Sequence, residues 1–145
     1  MPQRTDKKTI CLNMIVKNEA VIIRDTLENI IAHIPLDYYV ISDTGSDDNT
    51  ADIIKQFFDE KGIKGEIHHD EWVNFAHNRN CALQHAKGKT DYVLIFDADD
   101  RFEGTFELPE ELTSDRYYFR MANSVTGANV YFRTLMFRND GSFYW

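Results

Sequence analysis

Only two cysteines and three prolines occur among the 145 residues, and no apolar run comes near the ~20 residues needed to cross a bilayer. Cys11 and Cys81 have neither CxxC nor metal-type spacing, and each falls in an apolar run, so both are expected to be buried free thiols. With prolines only at Pro2, Pro35 and Pro109, and with no Ser/Gly tract, repeat or low-complexity segment, nothing marks an interior domain boundary. Positive charge is also scarce: 16 Lys and Arg stand against 24 Asp and Glu, for a formal charge of −8. No basic stripe interleaved with aromatics offsets that field, so nucleic acid is excluded as a partner. The polar residues 1–8 precede no apolar segment of signal-peptide length, which leads us to expect a cytoplasmic or cytosol-facing protein without a membrane span. Finally, neither GxGxxG nor GxxxxGK[ST] is present, which removes the usual dinucleotide and P-loop routes to phosphate.

What the chain has instead is alternation. A mostly apolar run at 9–16 is followed by Ala20, Ile23, Leu27, Ile30, Ile31 and Ile34 at helical spacing, closed by Pro35. A second run at 38–43 leads through a polar loop to Ile53, Ile54, Phe57 and Phe58 on a helix ending near Gly62. A short strand at 65–69, a third helix marked by Phe75, Ala82, Leu83 and Ala86 and stopping at Gly88, and an apolar run at 92–97 complete the series. Strands alternating with helices of this length predict an α/β fold with a parallel sheet. After Asp100 the pattern becomes β-rich at 117–121 and 130–137, with a turn-like stretch around Gly127 and another at Asn139-Asp140-Gly141. Antiparallel strands are therefore expected to extend the sheet, and Phe143-Tyr144-Trp145 reads as a further strand-like run.

In an open parallel sheet, ligands bind beyond the carboxyl ends of the strands. Those ends carry Lys17-Asn18-Glu19, then Asp43-Thr44-Gly45-Ser46, then Asp97-Ala98-Asp99-Asp100. A single Asp at such a place is usually a turn former or helix cap, but three polar ends converging on one crevice point to a site. Asp97-Ala98-Asp99 places two carboxylates close together after a run of apolar residues, and like charges so held need a cation. A hard divalent ion, Mg²⁺ or Mn²⁺, meets that need and leaves coordination positions for phosphate oxygens. An EF-hand loop is ruled out, because its fifth position would be Arg101 and its twelfth Leu108. Arg79 falls on the apolar face of the third helix and must be paired, either structurally with an acid such as Asp43 or in support of a diphosphate and the acidic cluster. His77 is read as a surface residue, and His68 and His69 point to opposite faces of a strand, so they do not share a metal. Phosphate handling in so acidic a chain then rests on a carboxylate-held metal helped by Lys17 and Arg79, an arrangement suited to a nucleoside diphosphate.

With those residues placed, the chain resembles a family-2 glycosyltransferase of the GT-A fold. The resemblance is carried by Leu12-Asn13-Met14-Ile15-Val16-Lys17-Asn18-Glu19, Val40-Ile41-Ser42-Asp43-Thr44-Gly45-Ser46-Asp47-Asp48-Asn49-Thr50, Phe75-Ala76-His77-Asn78-Arg79-Asn80-Cys81-Ala82-Leu83 and Leu94-Ile95-Phe96-Asp97-Ala98-Asp99-Asp100, in family order over roughly residues 9–104. It implies a Rossmann-like α/β/α sandwich and an enzyme that moves a sugar from a nucleotide-diphosphate sugar, UDP being favoured, to an acceptor hydroxyl on protein, lipid or glycan, normally with inversion. Ile15, Val16, Lys17, Asn18 and Glu19 would line the nucleotide pocket with Gly45 and Ser46, and Asp43 would accept a hydrogen bond from the base. Arg79 would reach the base or diphosphate, Asp97 and Ala98 would lie at the donor, and Asp97 and Asp99 would serve as metal ligands. The acceptor's proton would go to a carboxylate base well downstream of the DxD motif. Asp100, Glu103 and Asp140 have no context that marks them for that role, so the expectation is one nucleotide-sugar-binding domain over 1–145, part of a longer protein with the base beyond residue 145 and inactive in transfer by itself. Two other readings compete: a donor-binding or interaction domain without catalysis, and a haloacid-dehalogenase-like phosphotransferase, which would require Thr or Val where Arg101 stands.

Overall fold

A computed structural model describes residues 8–104, 106–122 and 130–145; the turn expected around Gly127 lies outside them. The elements follow as β1 (Ile10–Val16), α1 (Ile23–His33), β2 (Tyr38–Asp43), α2 (Thr50–Lys61), β3 (Lys64–His69), α3 (Phe75–Ala86), β4 (Tyr92–Ile95), β5 (Arg116–Met121) and β6 (Tyr131–Arg138). They form one six-stranded sheet in the order β3-β2-β1-β4-β6-β5. The first four strands in that order are parallel, whereas β6 runs antiparallel to both β4 and β5. The mixed α/β sheet expected from the alternation is thus the sheet observed.

Period-two burial along β1 divides the core. Ile10, Leu12, Met14 and Val16 pack with Ile23, Leu27 and Ile30 of α1 and Ile54, Phe57 and Phe58 of α2. Cys11 faces the other way, toward Val40, Val93, Ile95 and Ala86 of α3. Helices therefore cover both faces, and a fully buried side chain such as Leu27 contributes about 1.5–3 kcal/mol by leaving water. On the thinner α3 side, buried Asn13 substitutes for apolar bulk: its Nδ2 donates to the carbonyls of Val40 and Ala82, each at 3.0 Å, and so ties α3 to the sheet. Because the chain leaves β3 on one side of β1 and returns as β4 on the other, the carboxyl ends of β1 and β4 open a crevice at the switch in strand order.

Local chemistry sets the element ends. Ile34, placed before Pro35, is extended (φ −125°, ψ 126°), since the proline ring disfavours a helical predecessor, and α1 stops at His33. Gly62 closes α2 at φ 70°, where a side chain would be strained. Gly65 has a different duty, for a Cβ there would lie 2.2 Å from the ring of Tyr39, which stacks on Phe58 at 4.0 Å.

Three expectations need correction. Ala20 lies in a turn before α1 instead of on it, because its amide is drawn to Asp48 at 3.3 Å and that of Glu19 to Thr50 at 2.9 Å. Cys81 is partly exposed, whereas Cys11 is buried as expected, with its thiol pushed up to about 12 chiefly by burial. Residues 143–145 form no strand: Phe143 stacks on Phe137 at 4.2 Å, and Trp145 meets Phe143 edge-on at 5.3 Å, so the aromatic run folds back over the smaller core. No helix among the described residues is long and apolar enough to cross a membrane.

Candidate functional site

β4 ends at Ile95, and the chain turns through Asp97-Ala98-Asp99-Asp100, with the Asp100 amide donating to the Asp97 carbonyl at 3.1 Å. Helix α1 holds this turn at two points. Thr26 Oγ1 donates to the carbonyl of buried Ala98 at 2.5 Å, and the Asn29 amide brackets Phe102, accepting from its N–H at 2.6 Å and donating to its carbonyl at 3.0 Å. So fixed, Asp97, Asp99 and Asp100 bring one carboxylate oxygen each within 4.8 Å of one another. Burial first, and then the charges of Asp97 and Asp99, hold the Asp100 carboxyl above its ordinary range. Hard oxygen donors in this number and spacing fit Mg²⁺ or Mn²⁺.

Two guanidinium groups flank the cluster. Arg79 Nη2 lies 2.5 Å from Asp97 Oδ1 and Arg133 Nη1 lies 3.8 Å from Asp97 Oδ2, so both oxygens of Asp97 face cations. The pairing of Arg79 with Asp43 is therefore replaced by pairing with Asp97, because α3 presents Arg79 toward β4. The Arg79 guanidinium also sits 5.1 Å from the centre of the Trp145 ring, and Asn80 secures that residue by accepting from its backbone N–H at 2.7 Å and donating to its carbonyl at 3.1 Å.

At the neighbouring strand ends, the loops after β1 and β2 are joined to each other. Asp43 is buried, and its Oδ1 accepts from the amides of Gly45 at 3.0 Å and Ser46 at 2.7 Å, a turn that Gly45 closes at φ 115°. Its Oδ2 has no hydrogen-bond partner among the described residues. Ser46 Oγ accepts from the Asn18 amide at 2.9 Å, Asn18 Oδ1 accepts from the Asp47 amide at 2.7 Å, and Thr44 returns its amide to the Val16 carbonyl at 2.9 Å. Asp48, bonded to the Thr50 hydroxyl, is held below the usual carboxylate range by that contact first. Glu19 is pushed up by burial first and then by the charges of Asp99 and Asp48.

Two cavities open at this edge. One of about 270 Å³ is lined by Ile15, Val16, Lys17 and Glu19 with Thr44, Trp72 and Phe75. The other, about 400 Å³, takes in Asp43, Gly45 and Ser46 together with His69, Asp70 and Trp72. The structure thus gathers Ile15, Val16, Lys17 and Glu19 around one hollow and Asp43, Gly45 and Ser46 around the next. Asn18 braces the loops, Ala98 is buried and offers its carbonyl to Thr26, and Arg79, Asp97 and Asp99 stand at the β4 end. Arg133, Thr26, Asn29 and Trp72 were not singled out by sequence reasoning, and Asp100 was weighed there as an acceptor base, not as a metal ligand. The exposed aromatic before α3 was the one signal that could have pointed to Trp72.

An α/β/α sheet whose carboxyl edge carries an acidic turn and two loop-lined cavities is an architecture of the GT-A kind. The model of glycosyl transferase family 2 matches residues 11–113, and the chain belongs to that family. Among solved structures it is similar to the mannosyltransferase PcManGT from Pyrobaculum calidifontis, in complex with GDP-Man and Mn²⁺, at 26% identity and a TM-score of 0.56 over 68% of this chain and 30% of that one. S. aureus TarS in complex with UDP shares the fold at 21% identity and a TM-score of 0.52, over 63% of this chain and 27% of that one. The chain therefore spans about 30% of the length of the mannosyltransferase it matches.

Proposed function

We propose that this chain is the donor-binding part of a metal-dependent glycosyltransferase that moves a sugar from a nucleoside-diphosphate sugar to an acceptor hydroxyl with inversion. The observation that carries this reading is the acidic turn after β4, with three carboxylates within 4.8 Å, on the same carboxyl edge of the sheet as the two cavities at the ends of β1 and β2. UDP is the favoured nucleotide; the likeness to a protein holding GDP-Man makes GDP the comparison to run.

Asp99 and Asp100, with Asp97, would hold Mn²⁺ or Mg²⁺. When bound, such an ion neutralises a diphosphate and stabilises it as a leaving group. Asp43, whose Oδ1 is committed to its own loop, turns Oδ2 to the base. Lys17, exposed at the end of β1, adds positive charge for phosphate oxygens. Arg79 holds Asp97 in place for the ribose and keeps the local charge tolerable until the donor arrives. The proton of the acceptor hydroxyl is assigned to no residue described, and a base beyond residue 145 is part of the proposal. The acceptor is a hydroxyl of protein, lipid or glycan. The phosphotransferase alternative is disfavoured by the match of residues 11–113 to glycosyl transferase family 2.

Calorimetric titration of UDP and GDP into the protein with Mn²⁺, with EDTA and against Asp99→Asn tests the reading. Metal-dependent binding that disappears in the variant is the expected result. Binding of neither nucleotide under any condition would sink it.

A further inference from the structure

Three of the four residues from Trp72 to Phe75 keep large apolar side chains in solvent: Trp72 is 41% exposed, Val73 56% and Phe75 66%. The segment is nonetheless held firmly. The buried Asn78 amide accepts from the N–H groups of Val73 at 2.8 Å and Asn74 at 3.2 Å and donates to the Glu71 carbonyl at 3.0 Å, while Asn74 Oδ1 caps α3 by accepting from the His77 amide at 2.8 Å. The indole rests edge-to-face on the Phe75 ring at 5.0 Å. An aromatic plane fixed this well and left in water has its hydrophobic face unspent.

Trp72 lines both cavities of the crevice, and Thr44 is the other residue they share. The polar lining around it is dominated by acceptors: Asp43, Asp48, Asp70 and Glu71 on one side and Glu19 on the other, with Lys17 at the far edge. Such walls repel phosphate and favour a neutral group that donates N–H bonds. An indole plane adds a preference for a flat, aromatic one. Together they select a heterocyclic base, whose attached phosphates then extend past Glu19 toward Asp99 and the guanidinium groups of Arg79 and Arg133.

We infer that Trp72, seated on Phe75, is the stacking platform for the nucleobase of the donor, a role that rests on the donor-binding reading above. The ring system is uracil or guanine, and the two share the chemistry of a planar face with ring N–H donors.

The test exploits the chain's having only two tryptophans, Trp72 and Trp145. UDP and GDP, each with Mn²⁺, and free uridine and guanosine are titrated while emission and heat are followed for wild type, Trp72→Phe and Trp72→Leu. The expected result is quenching in wild type that is missing from Trp72→Phe, with affinity largely kept by Phe and reduced roughly 5- to 150-fold by Leu, the range of base–aromatic stacking. Tighter binding of GDP than of UDP would assign the purine donor, and the reverse the pyrimidine. Unchanged affinity in Trp72→Leu would overturn the platform while leaving the donor site standing. Failure of the wild type to bind either nucleotide would overturn the donor reading, and the platform with it. Because Trp72 is exposed, an unchanged melting curve and unchanged Mn²⁺ binding in Trp72→Leu confirm that the fold is intact.

Discussion

Two acidic clusters sit on this sheet and are handled in opposite ways. At the β3 edge, Glu66 Oε2 accepts from Tyr38 Oη at 2.7 Å and lies 3.2 Å from Lys89 Nζ, and Glu66 Oε1 lies 2.7 Å from His68 Nε2. Burial alone would push the Glu66 carboxyl up, yet these partners outweigh it and hold it down to about 2. Asp70 is likewise held low against its burial by Ser42 and His85, and the two imidazoles stack face to face at 3.7 Å. At the β4 end, burial and its neighbours' charges leave Asp100 high. A carboxylate that is fully partnered stabilises the fold; Asp100, held high by burial and by two neighbouring carboxylates despite Arg79 and Arg133, costs stability.

The comparison can be broken most forcefully at Arg79. Arg79→Ala leaves Asp97 facing only the more distant Arg133 and should cost about 2–3 kcal/mol in denaturant unfolding, since a partly buried charge loses its close partner. Arg79→Lys, with no planar group to lie over Trp145, should fall between the two. Glu66→Gln should cost about 1.5 kcal/mol near neutral pH. The sign of its pH dependence is fixed: the unfolded carboxyl takes up its proton near 4.5 and the native one only near 2, so the stability is complete above about 4.5 and is lost as the pH falls toward 2. Melting of wild type and Glu66→Gln should therefore converge over that interval, and a constant gap would contradict the pairing. Smallest is the stability effect of Asp99→Asn, within about 0.5 kcal/mol because the side chain is exposed, although the same change should abolish metal-dependent nucleotide binding. If instead Asp99→Asn destabilised the fold as much as Glu66→Gln, the distinction between the clusters would fail.

The fold was legible because β1, β2 and β4 are short apolar runs flanked by turn residues, and burial on both faces demands such runs, whereas the polar edge strand β3 shows only as a short stretch between two helices. The strand ends were legible for the same reason: polar residues directly after buried strands fall at one edge of a parallel sheet. What escaped the sequence depends on register between distant segments. Arg133 meets Asp97 only because β6 lies against β4 with Leu94 opposite Met136, and no local pattern announces that pairing. Thr26 and Asn29 look like ordinary polar positions on an amphipathic helix until α1 packs beside the acidic turn. Arg79 was recognised as needing a partner, but the choice between Asp43 and Asp97 turns on the direction in which α3 presents it. Residues 143–145 have strand-like composition, and a side-chain amide, Asn80, takes the backbone bonds that a neighbouring strand would have taken.

The grip of α1 on the acidic turn has a thermodynamic consequence. Since Thr26 and Asn29 bond to the backbone at Ala98 and Phe102, the turn shares the helix's freedom of movement. Its carboxylates are gathered by the fold itself, so capture of the proposed ion would cost little conformational entropy. The Phe102 amide should then exchange with solvent only when the first helix itself opens, and loosening Asn29 should weaken ion capture without removing a single ligand.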